Sequence, residues 1–146
     1  MWSIRGEELS HELESMNFCQ NPHLAQFEEQ RKFFEVYPHP AIVVLFDMDR
    51  ILQYKQKSGR SYDTIREAFQ TYQSKIKALK GLNSSLALND VLDVEVNGLK
   101  GKNLKAYEDT LDAVFCSYLA YYTWANPQNC HVFGNMEEGY ICTPIQ

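Results

Sequence analysis

Asp109 and Asp112, together with Glu35, are the residues whose types and spacing best suit chemistry. Two acids three apart on a helix share a flank, where like charges repel. That cost grows as water is removed. A divalent cation relieves it. Two-metal phosphoryl transfer needs carboxylates from separate elements, holding cations about 4 Å apart. A helix supplying two acids and a strand end supplying a third form a suitable partial set. The same spacing is common on solvated helix faces, and Glu108 beside Asp109 suits that plainer role equally.

Other side chains carry weaker signals. His39, in the run EVYPHP at 35–40, has the chemistry of a ligand or a base near pH 7. A histidine so placed more often hydrogen-bonds near a helix start. Lys55, Lys57, Arg60 and Arg66 form a basic set that suits either phosphate contact or a solvated face. Lys105, one turn before Asp109, is placed to neutralise it. Tyr118, Tyr121, Tyr122 and Trp124 fit packing better than a base-stacking platform.

These groups need elements to position them. Lys102–Trp124 contains no Gly or Pro over 23 residues. On a helix, Leu104, Leu111, Phe115, Tyr118 and Tyr122 cluster on one side. Asp109, Asp112, Lys105 and Cys116 fall on its flank. Ala113 and Ala120 lie beyond, small enough for a neighbour to approach. Ser61–Leu79 has helical spacing through Tyr62, Ile65, Phe69, Tyr72, Ile76 and Leu79. Ser61 is its expected N-cap and Gly81 its stop.

The remaining segments are shorter. Leu9, Leu13 and Met16 suggest a short helix within residues 1–17, with Ser3 or Ser10 near its start. Leu24–Lys32 suits another helical turn or two. Arg31–Tyr37 reads as a strand, ended by Pro38 and Pro40. Ala41–Phe46 suits a buried strand by propensity or a helix by Pro40 at its start. Ile51–Arg60 is polar and reads as the exposed end of one element and a loop around Gly59. Leu86–Val96 suits a short helix. His131–Phe133 and Tyr140–Cys142 suggest a hairpin over about 130–143.

Composition bounds the rest. The chain has 146 residues, read as a single domain over 1–146, and a formal net charge of −5. That charge argues against coating nucleic acid by bulk attraction. It leaves a nuclease open, because metal ions supply positive charge at the reacting phosphate. The longest apolar run is Ala41–Phe46, too short to span a membrane, which needs about 20 residues. Residues 1–15 carry no signal-peptide pattern, so a cytoplasmic protein with four reduced cysteines is expected. Their wide spacing speaks against zinc.

Three blocks carry a resemblance: EVYPHPAIVVLF at 35–46, KNLKAYEDTLDAVFCSYLAYYTW at 102–124 and VFGNMEEGYICTP at 132–144. Together, and in this order, they resemble the uncharacterised DUF429 family, predicted to be nuclease-like with a ribonuclease H-like fold. The resemblance implies an α/β chain, the mostly helical C-terminal portion of that fold. A short central strand at about 31–37 and a C-terminal hairpin complete it. It implies a helix at Pro40–Phe46. Glu35 would match the acid ending the fourth strand, and Asp109 and Asp112 the acids of the last helix. All three would then be catalytic ligands of Mg²⁺ or Mn²⁺ acting on nucleic acid.

One departure matters. Family members normally open with a strand bearing a G-[IV]-D aspartate, and residues 1–30 here contain no Asp. The resemblance therefore implies that the first three strands are missing. The chain would be a fragment, a natural truncation, or a partner to a chain supplying them, with a homo-oligomer as one form of pairing. A non-catalytic domain serving assembly or ligand binding is the alternative to a nuclease.

Overall fold

The stretch lacking Gly and Pro forms the longest helix, Gly101–Ala125, in the computed structural model, which describes residues 2–79 and 86–145. In chain order the elements are α1 (Trp2–Ser15), β1 (Cys19–Gln20), β2 (Lys32–Phe33), α2 (Pro38–Leu45), α3 (Tyr62–Lys77), α4 (Leu86–Leu92), α5 (Gly101–Ala125), β3 (Cys130–Asn135) and β4 (Gly139–Pro144). The fold is α/β, dominated by helices, with two small sheets. No helix among the described residues is long and apolar enough to cross a membrane. The chain divides into two units, Met1–Tyr37 with Ala120–Gln146, and Pro38–Leu119.

In the first unit, α1 ends where Asn17 takes a left-handed conformation, φ 63°. The Phe18 amide then reaches back to the Leu13 carbonyl, and the Asn17 amide to Glu14. This satisfies carbonyls that a helix end leaves open. Ser10 sits inside the helix, its hydroxyl on the Gly6 carbonyl, so it is not a cap. β1 and β2 pair in parallel for two residues only, Cys19 with Lys32 and Gln20 with Phe33. The ladder's last bond is Asn21 N–H to the Phe33 carbonyl. Pro22 follows and has no N–H to continue it.

The strand expected over Arg31–Tyr37 is thus shorter, extended only by a bridge of Val36 with Cys142. The segment at 24–31 is irregular, with a turn at Gln26 and Phe27, not helix, and Lys32 already belongs to β2. There Phe27 takes φ 57°, donates its amide to the Trp124 carbonyl, and packs its ring edgewise on Trp124 at 4.9 Å. The expected hairpin is present: β3 and β4 pair antiparallel from Cys130–Pro144 to Asn135–Gly139. The Asn135 side chain accepts the amides of Glu137 and Glu138, closing the turn.

In the second unit, the periodicity of α3 places Ile65, Phe69, Tyr72 and Ile76 in the core. The helical reading of the segment after Pro40 holds, with α2 starting two residues earlier at Pro38. Phe46, just past α2, sits 5.5 Å from Phe115 and 6.1 Å from Tyr72, ring to ring. The short helix expected at Leu86–Val96 ends at Leu92, and a single 3₁₀ turn follows at Val96–Gly98. Gln73 of α3 holds the stretch between them, donating to the Val94 carbonyl at 2.9 Å, and also donates to the Tyr107 hydroxyl of α5 at 2.6 Å. The expected stop at Gly81 lies outside the described residues.

Ser61 caps α3, its hydroxyl accepting from the Thr64 amide at 3.1 Å. Replacing it with alanine leaves that amide without its partner. S61A is expected to cost about 1 kcal/mol, read as a shift of the urea midpoint with unchanged slope.

Candidate functional site

The polar centre of the second unit is the Asp112 carboxylate. α5 carries it one turn before Phe115, at the border of the buried stripe Leu104, Leu111, Phe115 and Leu119. Its side chain is 18% exposed. One oxygen, Oδ1, accepts the Tyr54 hydroxyl at 2.8 Å and the Tyr72 hydroxyl at 3.4 Å. The other, Oδ2, meets the Lys55 ammonium at 2.9 Å. Burial and then Asp112 itself push the Tyr54 hydroxyl far above the usual phenol range. Burial and then Tyr54 do the same to Tyr72. Both tyrosines stay protonated and act as donors. Two aromatic hydroxyls and one ammonium therefore fix the plane and charge of a single acid.

Two further groups face this centre. The His39 ring lies 5.6 Å from that of Tyr54. Burial and then the Lys55 charge lower its pKa, with Asp112 and Glu108 opposing. Its imidazole is held neutral at pH 7. Cys116, one turn after Asp112, has its thiol pushed up by burial and by Asp112.

The acids of the EDTLD run divide differently from the expectation. Asp109 points outward, 64% exposed, and its Oδ1 meets Lys105 at 2.6 Å. Lys105 also meets Glu108 at 2.7 Å, so the expected neutralisation of Asp109 is seen, shared between two acids. Glu108 is the inward member, its side chain 8% exposed. Its charge is felt at both Tyr54 and His39. The inward pair on α5 is Glu108, buried, and Asp112, half-buried, at i, i+4. Glu35 lies in the first unit, with an exposed side chain. Its carbonyl accepts from the Cys142 amide at 2.9 Å and its amide donates to the Tyr140 hydroxyl at 3.4 Å.

Carboxylate oxygens are the donors that hard divalent cations take, so Glu108 and Asp112 have the right chemistry for Mg²⁺ or Mn²⁺. The cation each holds in this structure is a lysine ammonium. Among the described residues, no group of three His, Cys, Asp or Glu side chains is set to share a metal ion.

Two residues of this centre escape the sequence reading. Tyr54 is fully buried although it sits in a polar loop. The available signal is alternation, because Leu52 is buried as well and Gln53 between them is exposed. For Glu108 the available signal is the helix wheel. The acid lies about 40° from Asp112, closer than the roughly 60° of Asp109, and on the side of the apolar stripe.

The other expected features fall out separately. Ala113 and Ala120 are exposed, so no described element approaches over them. Tyr118 is buried, whereas Tyr121 and Trp124 are exposed. All four cysteines are free thiols, Cys19 exposed, Cys116 and Cys130 half-buried, Cys142 buried. Burial pushes the Cys130 thiol up and that of Cys142 to about 11. Neither is a nucleophile at neutral pH.

The family model described as "Protein of unknown function (DUF429)" matches residues 1–138. No curated protein and no solved structure matches the chain. With nearly its whole length covered by that model, the chain belongs to the DUF429 family.

Proposed function

We propose that this protein is a ribonuclease H-like domain of the metal-dependent nuclease class, hydrolysing phosphodiester bonds in DNA or RNA. The observation that carries the reading is the Asp112 centre: a half-buried acid, oriented by two tyrosine hydroxyls and holding a cation. Keeping an acid in such a place is costly unless a positive charge answers it. The ligands proposed for Mg²⁺ or Mn²⁺ are Asp112, Asp109 and Glu35, as the family resemblance implies, with Glu108 added from its inward placement. A bound ion of this kind supplies an activated water and stabilises the departing oxygen. The chain's own residues prepare the place. Tyr54 and Tyr72 hold the Asp112 plane, Lys55 balances its charge, and the neutral His39 imidazole is in the form that accepts a proton.

A second reading is a non-catalytic domain that serves assembly or ligand binding. The observation favouring it is that each helix acid already has a lysine, Asp112 with Lys55 and both Asp109 and Glu108 with Lys105. Ion pairs of this kind need no metal.

The test combines binding with turnover. Mn²⁺ is titrated while paramagnetic broadening of amide signals is followed, and cleavage of single-stranded and duplex DNA and RNA is assayed with Mg²⁺ or Mn²⁺. Broadening centred on α5 is expected. D112N and E108Q are each expected to lower cleavage by about 100-fold or more, and D109N by less. No broadening near α5 together with no cleavage by the unaltered chain would leave the non-catalytic reading. A loss in D109N exceeding that in E108Q would rank the outward acid above Glu108 among the ligands.

A further inference from the structure

Helix α1 is at odds with its own surroundings. It has 14 residues, a length at which an isolated helix is marginal in water. Helices of that length persist when one face is packed. Among the described side chains of α1, Gly6–Ser15, none is buried. Leu9, Leu13 and Met16 recur at i, i+4 and i+7, the spacing of one helix face. Yet Leu9 is 56% and Met16 57% exposed, and Leu13 is only half-buried.

The charges point the same way. The sequence of α1 carries four acids, Glu7, Glu8, Glu12 and Glu14, against one Lys or Arg, Arg5. Glu8 and Glu12 repel at i, i+4. Glu12 and Glu14 stand near the helix C-terminus, where the helix dipole favours a cation, and no basic residue lies in the last turn. Among the described side chains of α1, the ion contact present is His11 with Glu14 at 3.6 Å, on an imidazole 82% exposed. The asymmetry extends to the whole first unit, whose sequence has nine carboxylates against three Lys or Arg side chains. The helix is nonetheless sharply ended, by the Asn17 turn described above.

We propose that α1 is a docking surface for a basic amphipathic helix of a protein partner. The partner's apolar stripe covers Leu9, Leu13 and Met16. Its flanking Lys and Arg side chains meet Glu8 and Glu12, which border that stripe. Apolar seams with complementary charged flanks are how two helices select each other. A nucleic acid is repelled by this face. A second copy's α1 carries the same four acids, so a symmetric pairing of the two helices sets like charges against each other.

The experiment uses the full chain and a labelled synthetic peptide. The peptide is roughly 18 residues long, with Leu at the heptad core positions and Lys or Arg flanking them. A control peptide has the same composition with the periodicity scrambled. Binding is followed by fluorescence anisotropy. The amphipathic peptide is expected to bind at least about tenfold more tightly than the scrambled one, and to weaken as salt rises. NMR shifts on titration should centre on residues 6–16. The double variant L9S/M16S should lose about tenfold in affinity, with unchanged thermal stability because both residues are exposed. E8K/E12K should reverse the preference, so that an acidic amphipathic peptide binds instead. Equal binding of the two basic peptides would overturn the proposal by reducing it to bulk charge. So would an L9S/M16S chain that binds as before, or sedimentation showing that the chain dimerises through α1 and excludes the peptide.

Discussion

Phe115→Ala is expected to destabilise the protein by about 3–5 kcal/mol, the usual cost of truncating a fully buried phenylalanine. The ring has no exposure and lies 5.5 Å from Phe46 and 5.9 Å from Tyr72. Tyr72 in turn stacks 4.9 Å from Tyr54. The void therefore opens against the Tyr72 ring, which in turn supports Tyr54. With total stabilities of about 5–15 kcal/mol, a loss of this size removes a large share. Urea denaturation should show a strongly lowered midpoint. Ser117, exposed on the same helix with its hydroxyl on the Ala113 carbonyl, is the control, and S117A should stay within about 0.5 kcal/mol of the parent. A midpoint for F115A close to that of S117A would mean that the aromatic cluster is not the core of this unit.

The second large effect belongs to the hairpin. Gly134 has φ 92°, and a Cβ built there would stand 2.2 Å from the Gly139 carbonyl oxygen and 3.1 Å from the Tyr140 Cα. Both obstacles are backbone, so no side chain can swing away. G134A combines left-handed strain with this clash and is expected to cost about 3 kcal/mol or more. Gly139 offers the comparison. It has φ 102° but open space around the added carbon. G139A should carry strain alone, about 1–3 kcal/mol. Hydrogen exchange across Cys130–Pro144 should show faster opening in G134A than in G139A. Equal rates would mean that the close approach of the two strands at this point contributes nothing beyond conformation.

How far the sequence revealed this structure depends on how each residue's burial is encoded. Helices α3 and α5 were legible because their apolar residues repeat at three and four over many turns, and Ser61 marked a boundary by its capping chemistry. The hairpin was legible from alternation and turn residues. Arg31–Tyr37 was overextended because composition reports strand preference but not the length of the partner. That partner is two residues long and Pro22 ends it. The helix after Pro40 was found by family likeness against local propensity, since Ile42, Val43 and Val44 prefer strands. At the site, Asp112 was found. Tyr72 was placed on the apolar face of α3 but not against an acid, and Tyr54 was missed because only its alternation with Leu52 marks it in a polar loop.

The thiols have a practical consequence for studying the α1 face. Three of the four are shielded, with their ionisation suppressed by burial. Cys19 is exposed in β1, four residues beyond the end of α1. A maleimide dye at neutral pH therefore reaches Cys19 first. The wild-type chain carries its own attachment point for a reporter, so an arriving partner can be watched without changing a single amino acid.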